Sequence, residues 1–268
     1  MSIVTIIEAD SATKLYEEHR GQVVICGSHG GAYPGYRAAD AGLRAVILND
    51  AGVGLDQAGL ACLSYCEKLG MAAATCHHDS ARIGDAKDMA TRGRISHVNR
   101  IAEDLGCASG QSVMAAAEHL RAAPHLDWTV PAYAEARIVI SHDDDKPRVI
   151  CLDSVTLVND GDIGQIVLTG SHGGLMGGKP EGALKVDALA AFFNDAGIGI
   201  EDAGLGRLAA LDQRGIVGIA VHTMSARIGE GRSTYEDGII SRLNNQAKMA
   251  GIKAGMTAKD AVARLQEG

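Results

Sequence analysis

Apolar runs that stop at glycine-rich turns recur along this chain. VVICGSHGG (23–31), LRAVILNDAG (43–52) and MAAATCHHDSARIG (71–84) each hold an almost continuous apolar stretch, the pattern of strands covered on both faces in a parallel sheet. Between the second and third lies DQAGLACLSYCEKLG (56–70), which reads as a helix closing on Gly70, a usual C-terminal stop. The segment therefore predicts strand, turn, helix and strand in succession. A closing helix is expected from Ser112, a good N-cap residue.

The pattern then starts again. IVLTGSHGG (166–174), ALAAFFNDAG (188–197), EDAGLGRLAALDQRG (201–215) and IVGIAVHTMSARIG (216–229) repeat the first series, with Thr257 as the second closing N-cap. Ser28-His29 returns as Ser171-His172, Asn49-Asp50-Ala51-Gly52 as Asn194-Asp195-Ala196-Gly197, and Ser80-Ala81-Arg82-Ile83-Gly84 as Ser225-Ala226-Arg227-Ile228-Gly229. Outlying matches (Asn99 with Asn244, Gly106 with Gly251) keep the register, so the sequence reads as a tandem duplication. The expected fold is α/β and internally duplicated: two Rossmann-like strand-helix halves, 1–124 and 147–268, with mainly parallel sheets related by a pseudo-twofold. Residues 125–146 read as a connector with an extra strand around Arg137–Ser141. GSHGG, NDAG and SARIG then fall at the carboxyl ends of consecutive strands, the edge where open α/β sheets bind ligands.

Composition narrows the classes. A formal charge of -8 and a pI near 5.7 disfavour nucleic acid and anionic membranes as partners. The N-terminus lacks the pattern of a secretory leader, and no apolar stretch approaches the roughly 18 residues that span a bilayer. A cytoplasmic protein is expected. Six cysteines without C-x-x-C spacing read as reduced, mostly buried thiols.

The residues with chemistry sit at the expected strand ends. His29 and His172 are each followed by two glycines, which allow close approach of a ligand; their bland reading is a turn-capping histidine. His77 and His222 occupy matching places on the third strand. Each half thus has two histidines on neighbouring strand ends, His29 with His77 and His172 with His222. With Asp50 or Asp195 they suit either an acid–base pair oriented by a carboxylate or, as the alternative, a divalent metal site, while the bland reading of His77 is a hydrogen-bonded, inward-facing strand histidine. No compact metal motif is present, so no cofactor is predicted. Asn49 and Asn194 suit either turn chemistry or a substrate amide contact. Ser80 with Arg82, and Ser225 with Arg227, place a hydroxyl and a planar cationic fork two residues apart, suited to an anionic substrate group or, as the bland reading, to a salt bridge between the halves with Asp50 or Asp195. Ser28 and Ser171 join the substrate-binding candidates. Cys26 reads as a core residue or as a nucleophile activated by His29.

The halves also differ: Cys26 faces Thr169, His78 faces Thr223, Asp79 faces Met224, and YPGYR after the first GSHGG faces LMGGKPEG after the second.

The order of a strand ending in Ser-His-Gly-Gly, then a strand ending in a small-residue glycine turn, is similar to the caspase-like fold, including the CHAT peptidases. That resemblance implies a catalytic histidine at His29 or His172. The implied cysteine position falls near Ala51 or Gly52, and near Ala196 or Gly197, where no cysteine stands, so cysteine peptidase activity is not expected.

The functional expectation is a small-molecule enzyme, a hydrolase of an amide, ester or ring bond in a small polar or anionic substrate. A lyase or isomerase would draw on the same groups, and a non-catalytic binder or sensor is the alternative from another class. A homo-oligomer is expected.

Overall fold

The structure, a computed structural model, describes residues 3–125, 128–141 and 145–267. It divides into two compact units. The first takes in Met1–Val53, Gln57–Tyr133 and Gly199–Glu201; the second takes in Gly54–Asp56, Ala134–Ile198 and Asp202–Gly268. Each unit is an α/β body built on its own sheet.

In the first unit β1 (Ile6–Ala9), β2 (Val23–His29), β3 (Ala45–Asn49), β4 (Ala72–Cys76) and β5 (Ile95–Val98) lie in sequential order. The first four are parallel, and β5 runs antiparallel at the edge. The strands read as unbroken apolar runs because both faces are covered. Val23, Ile25, Ala45, Ile47, Ala72 and Ala74 point to one core, which α3 (Ala86–Arg92), α4 (Arg100–Asp104) and α5 (Val113–Leu120) help to close. Val24, Cys26, Val46, Leu48 and Ala73 point to the other, under α1 (Ala32–Asp40) and α2 (Ala61–Lys68). That alternation is the period-two geometry of a strand buried on both sides.

Among the described residues the second unit has six strands: β6 (Arg137–Ser141), β7 (Val149–Leu152), β8 (Ile166–His172), β9 (Ala190–Asn194), β10 (Val217–Val221) and β11 (Ile240–Leu243). β7 to β10 are parallel, and β6 and β11 are antiparallel edges. Its helices are α6 (Gly206–Gln213), α7 (Gly231–Glu236), α8 (Asn245–Met249) and α9 (Ala258–Gln266). The caps follow the sequence: Ser112 accepts from the Ala115 N–H and Thr257 from the Asp260 N–H. Asn99 and Asn244 cap α4 and α8, and each also accepts from the neighbouring strand, at Ala73 and Gly218. Among the described residues no helix is long and apolar enough to cross a membrane.

Both sheets share one irregularity that sets the functional edge. β2 pairs with β3 at Ile25↔Ile47 and next at His29↔Asn49, so β2 carries a bulge across Cys26–Ser28. β8 does the same between Leu168 and His172. The bulge brings Gly27 against Asp10 O and Gly84 C, where an added Cβ would come within 2.8 Å; at Gly170 it would meet Glu230 N at 2.3 Å. Only glycine admits this approach. The parallel strands β2, β3 and β4 thus end together at His29, Asn49 and Cys76.

After the shared Ser-His-Gly-Gly the units part. The first enters α1, with Pro34 in the opening turn where a missing N–H does no harm. The second makes two 3-10 turns, Met176–Gly178 and Pro180–Gly182. Its loop is held by Arg207, 1% exposed, which donates to the carbonyls of Gly174 (3.1 Å), Gly182 (2.9 Å) and Ala183. Burial pulls this guanidinium down to about 10.

Candidate functional site

The loop that leaves β3 is forced into an unusual conformation. Ala51 (φ 49°) and Val53 (φ 63°) both take left-handed backbone, with Gly52 (φ 74°) between them. For a residue with a Cβ this costs on the order of 1–2 kcal/mol, most severely for β-branched Val. Two side chains hold the turn: Asn49 Oδ1 accepts from the Ala51 N–H (2.9 Å) and Asp50 Oδ1 from the Gly52 N–H (3.2 Å). The turn-chemistry reading of Asn49 and Asp50 is therefore visible, and it also aims the Asp50 carboxylate at the end of β4.

There it meets a residue the sequence reading did not select. His78 follows β4 by two positions; its N–H donates to Asp50 Oδ1 (3.0 Å) and its ring Nδ1 lies 2.8 Å from the same oxygen. The carboxylate accepts, so the network assigns the His78 proton to Nδ1 and makes Nε2 the basic nitrogen. Asp50 is 1% exposed and the His78 side chain 18%. Burial alone would raise the Asp50 carboxyl, but the hydrogen bond and charge of His78 hold it below its ordinary value. Ser96 directs its own bonding to Thr75, and Asp50 Oδ2 is buried without a hydrogen-bond partner.

His77 stacks on His78, ring centroids 4.6 Å apart and planes 15° from parallel. Its Nδ1 accepts from the Asp79 N–H (3.1 Å). Asp79 is itself exposed, with Oδ2 3.6 Å from His78 Nε2. Donor atoms of Asp50, His77 and His78 all lie within 4.8 Å of one another, and among the described residues no other group of three His, Cys, Asp or Glu side chains meets in this way. These three are the residues that could hold a metal ion.

The other candidates take quieter positions. His29 ends β2 opposite Asn49, and its Nδ1 accepts from the Gly31 N–H (3.1 Å); burial lowers its pKa to about 4, which keeps the ring neutral. Ser28 Oγ accepts from the Ala12 N–H and Ser171 Oγ from the Val155 N–H, each at 2.9 Å, so each ties the bulge to the loop after the neighbouring strand, β1 or β7. Ser80 Oγ donates to His77 O (2.7 Å) and accepts from Arg94 N–H (2.9 Å). Ser225 does the same with His222 O and Ile239 N–H. Arg82 is engaged by Glu201, which belongs to the same unit, and by Asp88; Nε donates to Glu201 at 2.8 Å. Arg227 is engaged likewise by Asp56 (2.6 Å). The salt bridge to Asp50 or Asp195 expected for these arginines is not what forms: Arg82 pairs with Glu201 and Asp88, and Arg227 with Asp56. Cys26 is fully buried on β2 and its thiol is pushed up to about 11, chiefly by burial.

The second unit repeats the scaffold without the imidazole pair. Asp195 Oδ1 accepts from the N–H groups of Gly197 (3.0 Å) and Thr223 (2.9 Å), Ala196 and Ile198 are left-handed, and His222 Nδ1 accepts from the Met224 N–H. Thr223 stands where the first unit has His78. Asn194 Nδ2 donates to Ala226 O (3.0 Å), whereas Asn49 Nδ2 is buried without a partner. His172, 6% exposed, ends β8 opposite Asn194.

His78 had a signal in the sequence: it is the second of two adjacent histidines at a strand end, and the only one of the pair that the second half replaces. No protein-family model, curated protein or solved structure matches this chain.

Proposed function

We propose that the first unit carries the working centre of a small-molecule hydrolase, acting on an amide, ester or ring bond, in a chain that arose by tandem duplication. One observation carries the reading: a carboxylate buried to 1% exposure sits 2.8 Å from the Nδ1 of a partly exposed histidine. A buried acceptor of this kind orients an imidazole, fixes its tautomer and stabilises the imidazolium formed when Nε2 takes a proton.

The nucleophile is water. Ser80 is committed to His77 and Arg94, and Cys26 and Cys76 are buried with thiols pushed up to about 11 and about 12; none is presented beside His78 as an activated nucleophile. His78 removes a proton from water as it attacks the carbonyl and returns it to the departing nitrogen or oxygen. The substrate is small and polar. Its anionic group is not held by Arg82, whose cation is already matched by carboxylates.

The test is a screen of small amides, esters and lactams with wild type, followed by His78→Thr, which installs the residue the second half carries at that place. Turnover lost in His78→Thr with substrate affinity kept supports a catalyst; affinity lost together with every polar contact would show a binding protein instead.

A further inference from the structure

We propose that Asp50, His77 and His78 form a binding site for one divalent transition-metal ion, present in the first unit alone. The inference rests on the location of the hydrolytic centre above and changes how its water is activated: with an ion bound, His78 serves as a ligand and the ion supplies Lewis acidity toward water and the substrate carbonyl.

Three observations support it. The donor set is two imidazoles and one carboxylate, with donor atoms within 4.8 Å of one another, a combination suited to zinc, manganese, iron or cobalt and one that leaves coordination positions open. Asp50 Oδ2 is buried and has no hydrogen-bond donor; an anionic oxygen taken out of water without a partner is the group a cation would satisfy. The carboxylate is also fixed from behind, since the N–H groups of Gly52 and His78 both donate to Oδ1, the kind of outer support that holds a ligand in place. His77 is exposed and His78 only partly buried, so an ion and its waters have a way in.

The second unit supplies the internal contrast. It keeps the carboxylate of Asp195, with Oδ2 again unpartnered, and it keeps His222. What it lacks is the second imidazole, because Thr223 replaces His78. Two donors hold a divalent ion far less tightly than three, so one equivalent per chain is expected rather than two.

The experiment is titration of the full-length, chelator-treated protein with Co²⁺ and Zn²⁺ in the absence of substrate. Calorimetry gives the stoichiometry and the visible Co²⁺ spectrum reports the ligands. One equivalent, with ligand-field bands that vanish in His78→Thr and affinity at least 100-fold weaker in Asp50→Asn and His77→Ala, is the expected result, and His97→Ala serves as the off-site histidine control. His78→Thr is built to fold, because the second unit already accommodates threonine at this place. Stoichiometry below about 0.1, or binding unchanged in His78→Thr and Asp50→Asn, overturns the metal site. Hydrolysis by a protein that binds no metal removes this inference alone, whereas metal binding without turnover of any amide or ester removes the hydrolase reading alone.

Discussion

The loops after β3 and β9 differ far less than the side chains they present. Both pass through left-handed backbone at an alanine and a β-branched residue, Ala51 with Val53 and Ala196 with Ile198. Both aim a buried carboxylate at the end of the next strand, and both leave its Oδ2 unpartnered. The first meets His78; the second meets Thr223. Backbone strain of this kind is thus a property of the scaffold and does not mark chemistry, because the unit without the imidazole pair keeps it. In the proposed reading, the chemistry depends on one residue, His78, added to a shared frame.

The largest effect that would sharpen this contrast is on turnover. His78→Thr is expected to lower kcat by about 100- to 10,000-fold, the range for loss of an oriented acid–base group, with KM little changed. Steady-state kinetics on the best screened substrate read this directly. A rise in KM alone would place His78 in binding.

The next effects are on stability. Arg207→Ala leaves the carbonyls of Gly174, Gly182 and Ala183 without their donor and is expected to cost about 3 kcal/mol. Cys62, which stands at the matching place in the first half and is simply core, should cost only about 1 kcal/mol on change to alanine. Equal losses in urea titrations would show that the loop does not depend on the guanidinium. The bulge glycines give a second pair: Gly27→Ala and Gly170→Ala should each destabilise by about 2–4 kcal/mol, Gly170→Ala more, since its Cβ would meet backbone at 2.3 Å rather than 2.8 Å.

A pH effect follows from His29. Its folded pKa is lowered from 6.5 to about 4 because burial disfavours the cation. Stability is therefore complete above pH 6.5, where the ring is neutral in both states. It is lost as pH falls toward 4, because only the unfolded chain takes up the proton easily. The loss is at most about 3 kcal/mol, and denaturant midpoints at pH 7 and pH 4.5 should differ less in His29→Gln than in wild type. The smallest effect is at Cys26: alanine there should leave kcat within about twofold, as expected for a core thiol, and a large loss would reinstate a nucleophilic role.

Much of the α/β frame was legible because buried strands write themselves as apolar runs. Val23–His29, Ala45–Asn49 and Ala72–Cys76 fall inside the stretches that predict them, as do Ser112 and Thr257 as caps. The short edge strands Ile6–Ala9 and Ile95–Val98 were not, since four residues half covered on one side carry too little pattern. The helix Ala32–Asp40 was hidden by Pro34 and Gly35, which are read as turn residues without knowledge that Pro34 lies in the first turn. In the site, Asp50 and His77 were legible as strand-end residues. His78 was legible only as a difference between the halves, facing Thr223; its stacking on His77 and its bond to Asp50 depend on the backbone after Cys76. The partners of Arg82 and Arg227 were beyond reach for a different reason: Glu201 and Asp56 lie far away in sequence.

The most direct test of a working centre confined to the first unit is a paired measurement of kcat/KM for Asp50→Asn and Asp195→Asn, near-isosteric changes at matching carboxylates. A loss of at least 100-fold in Asp50→Asn, with Asp195→Asn within about threefold of wild type, is the predicted result. Equal losses in the two variants, or a loss confined to Asp195→Asn, would contradict it.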